Sequence, residues 1–185
     1  MQRGILSAAL VCSFAAFAGE WKPFDTAEFT ANFPGEVKTT TRTDDTQIGQ
    51  VKSSVYSFEN DHEAFTLSIT DYPPELVAKS LPTKMLEGAR DGAVANVGGT
   101  LDKDIGIFID SGLPKKKWPG REFTLHTGQG LMMNSRVYLV ANKLFTLLMV
   151  RDGTVKDDAD FVKFAESLKL KPPPAAPAPA KAPKK

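Results

Sequence analysis

The sequence predicts an α+β domain: an antiparallel sheet of about six to eight strands with helices on both faces, a three-layer α/β/α sandwich. Three observations predict it. Within Leu144–Val150, Leu144, Leu148 and Val150 point one way and Phe145, Leu147 and Met149 the other. A strand apolar on both faces has to be covered on both faces. Two segments with helical spacing lie far apart in the chain and can supply the two covers. Short alternating segments accompany them, such as Phe65, Leu67 and Ile69 interleaved with Thr66, Ser68 and Thr70 ahead of the first, the pattern of half-buried strands.

Taken in order, Glu28–Phe33 reads as a first strand stopped by Pro34-Gly35. Val37–Arg42 is polar and threonine-rich, which suits an edge strand. Gln50–Phe58 and Phe65–Thr70 follow as strands. The spacing of Leu86, Ala89, Ala93 and Val97 predicts a helix over Pro82–Val97. Pro82 fits its first turn and Gly98-Gly99 its stop. Strands are then expected at Ile105–Ile109, Glu122–His126, Met132–Val140 and Leu144–Arg151, the last two forming a hairpin about Asn142-Lys143. Ile105, Ile107 and Ile109 share a segment with Phe108, so that strand too is expected to be covered on both faces. A final helix begins near Asp157, with Asp158 and Asp160 in its first turn, where the helix dipole favours negative charge. Phe161, Phe164, Ala165 and Leu168 form its stripe, and Pro172 forbids continuation.

The two ends differ from this core. Arg3, the uncharged apolar run Ile5–Phe17 and the small-x-small triplet Ala16-Phe17-Ala18 form a secretory signal, residues 1–18, with cleavage expected after Ala18. The run is shorter than the roughly 18–20 residues that span a bilayer, so no transmembrane helix is expected in the mature chain. Cys12 lacks the small preceding residue of a lipoprotein site and belongs to the apolar run. Its removal leaves no disulfide, thiol nucleophile or cysteine ligand. Residues 171–185 contain only Lys, Pro and Ala, which reads as a disordered, extended basic tail capable of weak contact with an anionic envelope surface. Residues 19–170 then make one domain. The composition, 42% hydrophobic and 24% charged, excludes wholesale disorder. This core carries 18 Lys and Arg against 22 Asp and Glu, a net of −4. A mildly acidic domain argues against nucleic acid as the partner.

Four motifs stand in order along the core: Phe33-Pro34-Gly35, Leu86 to Gly92 on the middle helix, Pro119-Gly120-Arg121-Glu122-Phe123, and Arg136–Val140 opposite Leu144–Leu147. With the order of elements, they resemble the PsbP-like α/β/α sandwich superfamily, which includes Mog-type Ran-binding proteins and bacterial DcrB-like exported proteins. The resemblance covers roughly residues 24–170. It implies a non-enzymatic role in binding or assembly. No histidine–carboxylate set here matches the metal features of PsbP itself.

The inventory for chemistry is thin. His62 and His126 are the only histidines, without the close-spaced ligands a metal needs. Ser111 and Ser135 lack a nucleophile elbow. Gly128-Gln129-Gly130 has no third glycine and reads as a turn, not a dinucleotide loop. Asp102 and Asp104, two apart on an extended segment, are placed to face one way, as paired acid–base carboxylates would. Exposed strand acids are the commoner case. The aspartates at 152, 157, 158 and 160 do not follow the EF-hand spacing. No catalytic residue, metal or cofactor is assigned.

The most suggestive group is Lys115, Lys116, Lys117, Trp118 and Arg121, expected at a loop tip. Cations around one tryptophan on an acidic domain make a local positive spot with a flat anchor. The expected function is an exported, non-enzymatic binding or assembly module of the bacterial cell envelope, periplasmic or secreted, whose partner is a protein or an anionic envelope component. Two other readings stay open: a small hydrolase or metal-dependent enzyme assembled from distant residues, and a structural protein tethered to the envelope by its basic tail.

Overall fold

The structure, a computed structural model, describes residues 20–46, 49–154 and 157–172. The export segment 1–18 and almost all of the basic tail lie outside the described residues.

The chain runs β1 (Lys22–Asp25), β2 (Phe29–Phe33), β3 (Lys38–Thr46), β4 (Gly49–Glu59), β5 (Glu63–Asp71), α1 (Pro74–Lys79) and α2 (Pro82–Val97). It continues through β6 (Thr100–Asp110), β7 (Lys117–His126), β8 (Leu131–Val140), β9 (Lys143–Asp152), α3 (Ala159–Glu166) and β10 (Lys169–Leu170). Seven strands form an antiparallel sheet in the order β3-β4-β5-β9-β8-β7-β6. Strands β1, β2 and β10 form a second, three-stranded sheet.

Strand β9 is the middle strand of the seven, and its two apolar faces are both covered, as expected. Leu144 joins a cluster with Leu86, Phe123, Leu125, Val137 and Leu139. Phe145, Leu147 and Met149 join a different one, with β2, α3 and β5. The second cluster is aromatic. Phe29, Phe33, Phe65, Phe145 and Phe164 are all essentially without solvent exposure, and each buried phenylalanine contributes roughly 1.5–3 kcal/mol by burial. Helix α2 packs on β7 and β8, and α3 on β2 and β9.

Helix α2 has the predicted bounds. Pro82 fits the first turn because its missing N–H is an orphan there. Gly98 ends the helix in the left-handed conformation at φ 58°, its N–H donating to the Val94 carbonyl. Only Leu86 is fully buried, so α2 lies on the sheet through small residues.

Two expectations are corrected. Strand β6 is an edge strand, not one covered on both faces. Ile105 is 46% and Phe108 69% exposed. α2 packs on β7 and β8, and only Ile107 and Ile109 of β6 join the aromatic core. The basic segment is also not all loop. Lys117 through Arg121 belong to β7, which pairs Lys117 with Asp110 and Trp118 with Ile109. The hairpin connection is Ser111–Lys116. Elements β1, α1 and β10 have four, six and two residues, too short to leave a periodic signal.

Candidate functional site: an apolar cleft beside Trp118

The β6–β7 connection, the β8–β9 turn and the chain leaving β10 meet at one end of the sheet. Ser111 is buried; its hydroxyl donates to the Leu113 carbonyl and accepts from the Leu113 N–H at 3.1 Å. Its own N–H donates to Lys116 O at 3.0 Å, closing the connection. The β8–β9 turn is Ala141-Asn142, with Ala141 at φ 53°. β10 is held to β2, and the Lys171 N–H donates to Glu28 O at 2.8 Å. Between these three segments lies a cleft of about 540 Å³. Leu113, Trp118, Val140, Phe145, Leu170 and Pro172 supply its apolar lining. Lys116, Lys143 and Lys171 also line it, with Glu28.

The cations are not equivalent. Lys143 Nζ lies 3.0 Å from Glu28 Oε2 and 2.9 Å from Asp71 Oδ1. Burial alone lowers the Lys143 ammonium, but its bonds to Asp71 and Glu28 outweigh that and hold it above its ordinary value. Lys171 Nζ lies 2.8 Å from Asp25 and donates to the Thr26 carbonyl at 2.6 Å. Hydrogen bonds from Lys171 and then Thr30 hold the Asp25 carboxyl below its usual range. Lys116 Nζ stands 4.2 Å from the Trp118 ring centroid and has no carboxylate partner among the described residues. Trp118 is half-buried against the aromatic core.

The predicted site residues therefore separate. Lys116 and Trp118 come together on the cleft. Lys115 is exposed, at φ 60°, and does not line it. Lys117 has only a 3.8 Å approach to Asp110, with both side chains exposed. Arg121 is three residues beyond Trp118 on a strand, so it faces the other side of the sheet. There its Nε lies 2.7 Å from Asp104 Oδ1, and Arg90 of α2 binds the same carboxylate. Lys143 and Lys171 are missing from the sequence reading. The hairpin signal places Lys143 near a turn, but nothing local places Lys171 beside it.

Other polar groups singled out by the sequence are held in structural contacts or lie exposed. A register shift between Leu101 and Lys103 separates the paired aspartates. Asp104 turns to Arg90 and Arg121, whereas Asp102 approaches His126 at 3.5 Å. The expectation that both face one way is corrected by that bulge. Glu122, 8% exposed, accepts from Lys103 at 2.5 Å and from Arg136. Burial raises its carboxyl, but these two bonds outweigh it and leave Glu122 below its ordinary value. His62 and His126 are exposed, and neither lines the cleft. Among the described residues no group of three His, Cys, Asp or Glu is placed to hold a metal ion. No helix among them is long and apolar enough to cross a membrane.

The architecture is that of a PsbP-like α+β fold. Eleven chains of solved structures resemble it. One is the solution structure of cyanobacterial PsbP (CyanoP) from Synechocystis sp. PCC 6803, which superposes with a TM-score of 0.52 at 13% identity. The match covers 86% of this chain and 97% of that one. No protein family profile matches the sequence, and no curated protein matches it.

Proposed function

We propose that this protein is an exported, non-enzymatic binding or assembly module of the bacterial cell envelope. The observation that carries this reading is the cleft itself: an apolar concavity with an aromatic wall and one uncommitted cation, the composition of a binding site rather than a catalytic one. Export rests on residues 1–18 and their charge–apolar–small pattern. In this reading the fold is the three-layer sandwich of the Mog-type and DcrB-like members, α2 covering one side of the sheet and α3 the other, and the basic tail adds a weak envelope contact.

Two measurements test it. Cell fractionation with intact-mass analysis should find a chain beginning at Gly19 outside the cytoplasm. Immobilised protein should retain envelope material that neither Lys116→Glu nor the cleft-filling Val140→Trp retains, both variants having wild-type circular dichroism. Identical retention by all three overturns the assignment of the cleft.

A further inference from the structure

We propose that the cleft takes a free long-chain carboxylate, its chain against Trp118, Phe145 and Leu170 and its head at Lys116. This rests on the binding-module reading and names the chemistry of what is bound.

Volume and lining argue for a chain. About 540 Å³ falls within the range of small-molecule sites, and the interior walls are aromatic and aliphatic. The neutral polar side chains at the cleft are already used. Ser111 is bonded to Leu113, and the Asn142 side-chain amide donates to Tyr72 O at 3.0 Å. A peptide laid there would find neither of these side chains free to bond its backbone N–H and C=O groups, a cost an acyl chain avoids.

Charge argues for a single negative head. Three lysines reach the cleft, but Lys143 is neutralised by Glu28 and Asp71, and Lys171 by Asp25. Lys116 alone has no anionic partner among the described residues, and an ammonium offers three donors. One cation without an anionic partner, lining an otherwise apolar cleft, matches a monoanionic amphiphile. The chain's own residues 173–185 fit poorly. They contain only Pro, Ala and Lys, with no large apolar side chain and the wrong sign of charge.

The test uses Trp118 as its reporter. The protein has two tryptophans, and Trp21→Phe removes the other signal while keeping a ring against Phe65. Titration with tetradecanoate below its micellar concentration should give a saturable change in Trp118 emission. Lys116→Glu should weaken binding by about tenfold or more, the effect of losing a charge-assisted hydrogen bond. Tetradecanol should be weakened similarly, and Lys115→Glu should change nothing. Phosphatidylglycerol vesicles should not sediment the protein through Lys116; if they do and free tetradecanoate fails, the proposal falls in favour of a membrane surface. No saturable change, or equal affinity for the alcohol and the carboxylate, overturns it. A gain of more than about tenfold on deleting 173–185 would make the chain's own end the resident and overturn it too. If tetradecanoate fails while cleft-dependent retention of envelope material persists, the carboxylate is wrong and the binding module stands. If both fail, both fall.

Discussion

Gly112 of the β6–β7 connection packs directly on Leu170 of β10: a Cβ on Gly112 would fall 2.9 Å from the Leu170 carbonyl oxygen. Gly112 also sits at φ +73°, where a side chain is strained whatever the space. The β6–β7 connection touches β10 through bare backbone. Gly112→Ala should therefore cost about 1–2 kcal/mol from the left-handed conformation, with more from the contact. Urea denaturation reads the loss. Limited proteolysis should show earlier cutting between Ser111 and Lys116 than in the wild type.

Phe164 of α3 stands with ring centroids 5.0 Å from Phe33 and 5.4 Å from Phe65, both edge-on. It ties the small sheet and α3 to the large sheet. Phe164→Ala should destabilise by about 3–5 kcal/mol, measured by chemical denaturation. The near-ultraviolet circular dichroism of the aromatic cluster should collapse with it.

The legibility of this fold follows the length of its elements. Leu144–Val150 shows both of its apolar faces within seven residues, and β9 is covered on both. The 16-residue α2 carries its stripe and both stops. Ile105–Ile109 has an equally apolar pattern, yet β6 is an edge, because strand order is a property of the pairing and not of one strand's composition. The site divides in the same way. Lys116 and Trp118 lie two residues apart, so the sequence alone groups them. Lys143 and Lys171 reach the cleft only through the β8–β9 turn and the docking of a two-residue strand, which no local pattern encodes.

Phe108 tests the edge assignment. Because it is 69% exposed, Phe108→Ser should change stability by no more than about 0.5 kcal/mol. A buried phenylalanine would cost several-fold more. Equilibrium denaturation decides, and the variant should also aggregate less on heating, since an exposed apolar edge invites pairing.

Glu122 sets an acid limit. Its folded pKa lies below its ordinary value because Lys103 and Arg136 bind the carboxylate. The stability this gives is present above the unfolded value and is lost as pH falls through the folded one. Glu122→Gln should cost about 1.5–3 kcal/mol at neutral pH, the loss of charged hydrogen bonds at a buried site. Denaturation at pH 7 and below pH 4.5 should show the gap between variant and wild type narrowing in acid.

Glu63 should behave in the opposite sense. Burial, and then the nearby Asp160, raise its carboxyl above its ordinary value, although Arg151, its cross-strand partner, pulls the other way. A raised folded pKa means that the protonated form is the one the fold favours. That stability is fully present below the unfolded pKa and is lost as pH rises through the folded one. Above the unfolded pKa the wild type carries a Glu63 carboxyl whose ionisation the fold disfavours, and Glu63→Gln removes that penalty. The variant should therefore melt at a higher temperature than the wild type at pH 7, with the difference vanishing below pH 4.5. Arg151 supplies the counter-test. It is 6% exposed and two of its guanidinium nitrogens have no hydrogen-bond partner. A lower melting temperature for Glu63→Gln at pH 7 would overturn this prediction and mean that attraction to Arg151 outweighs burial.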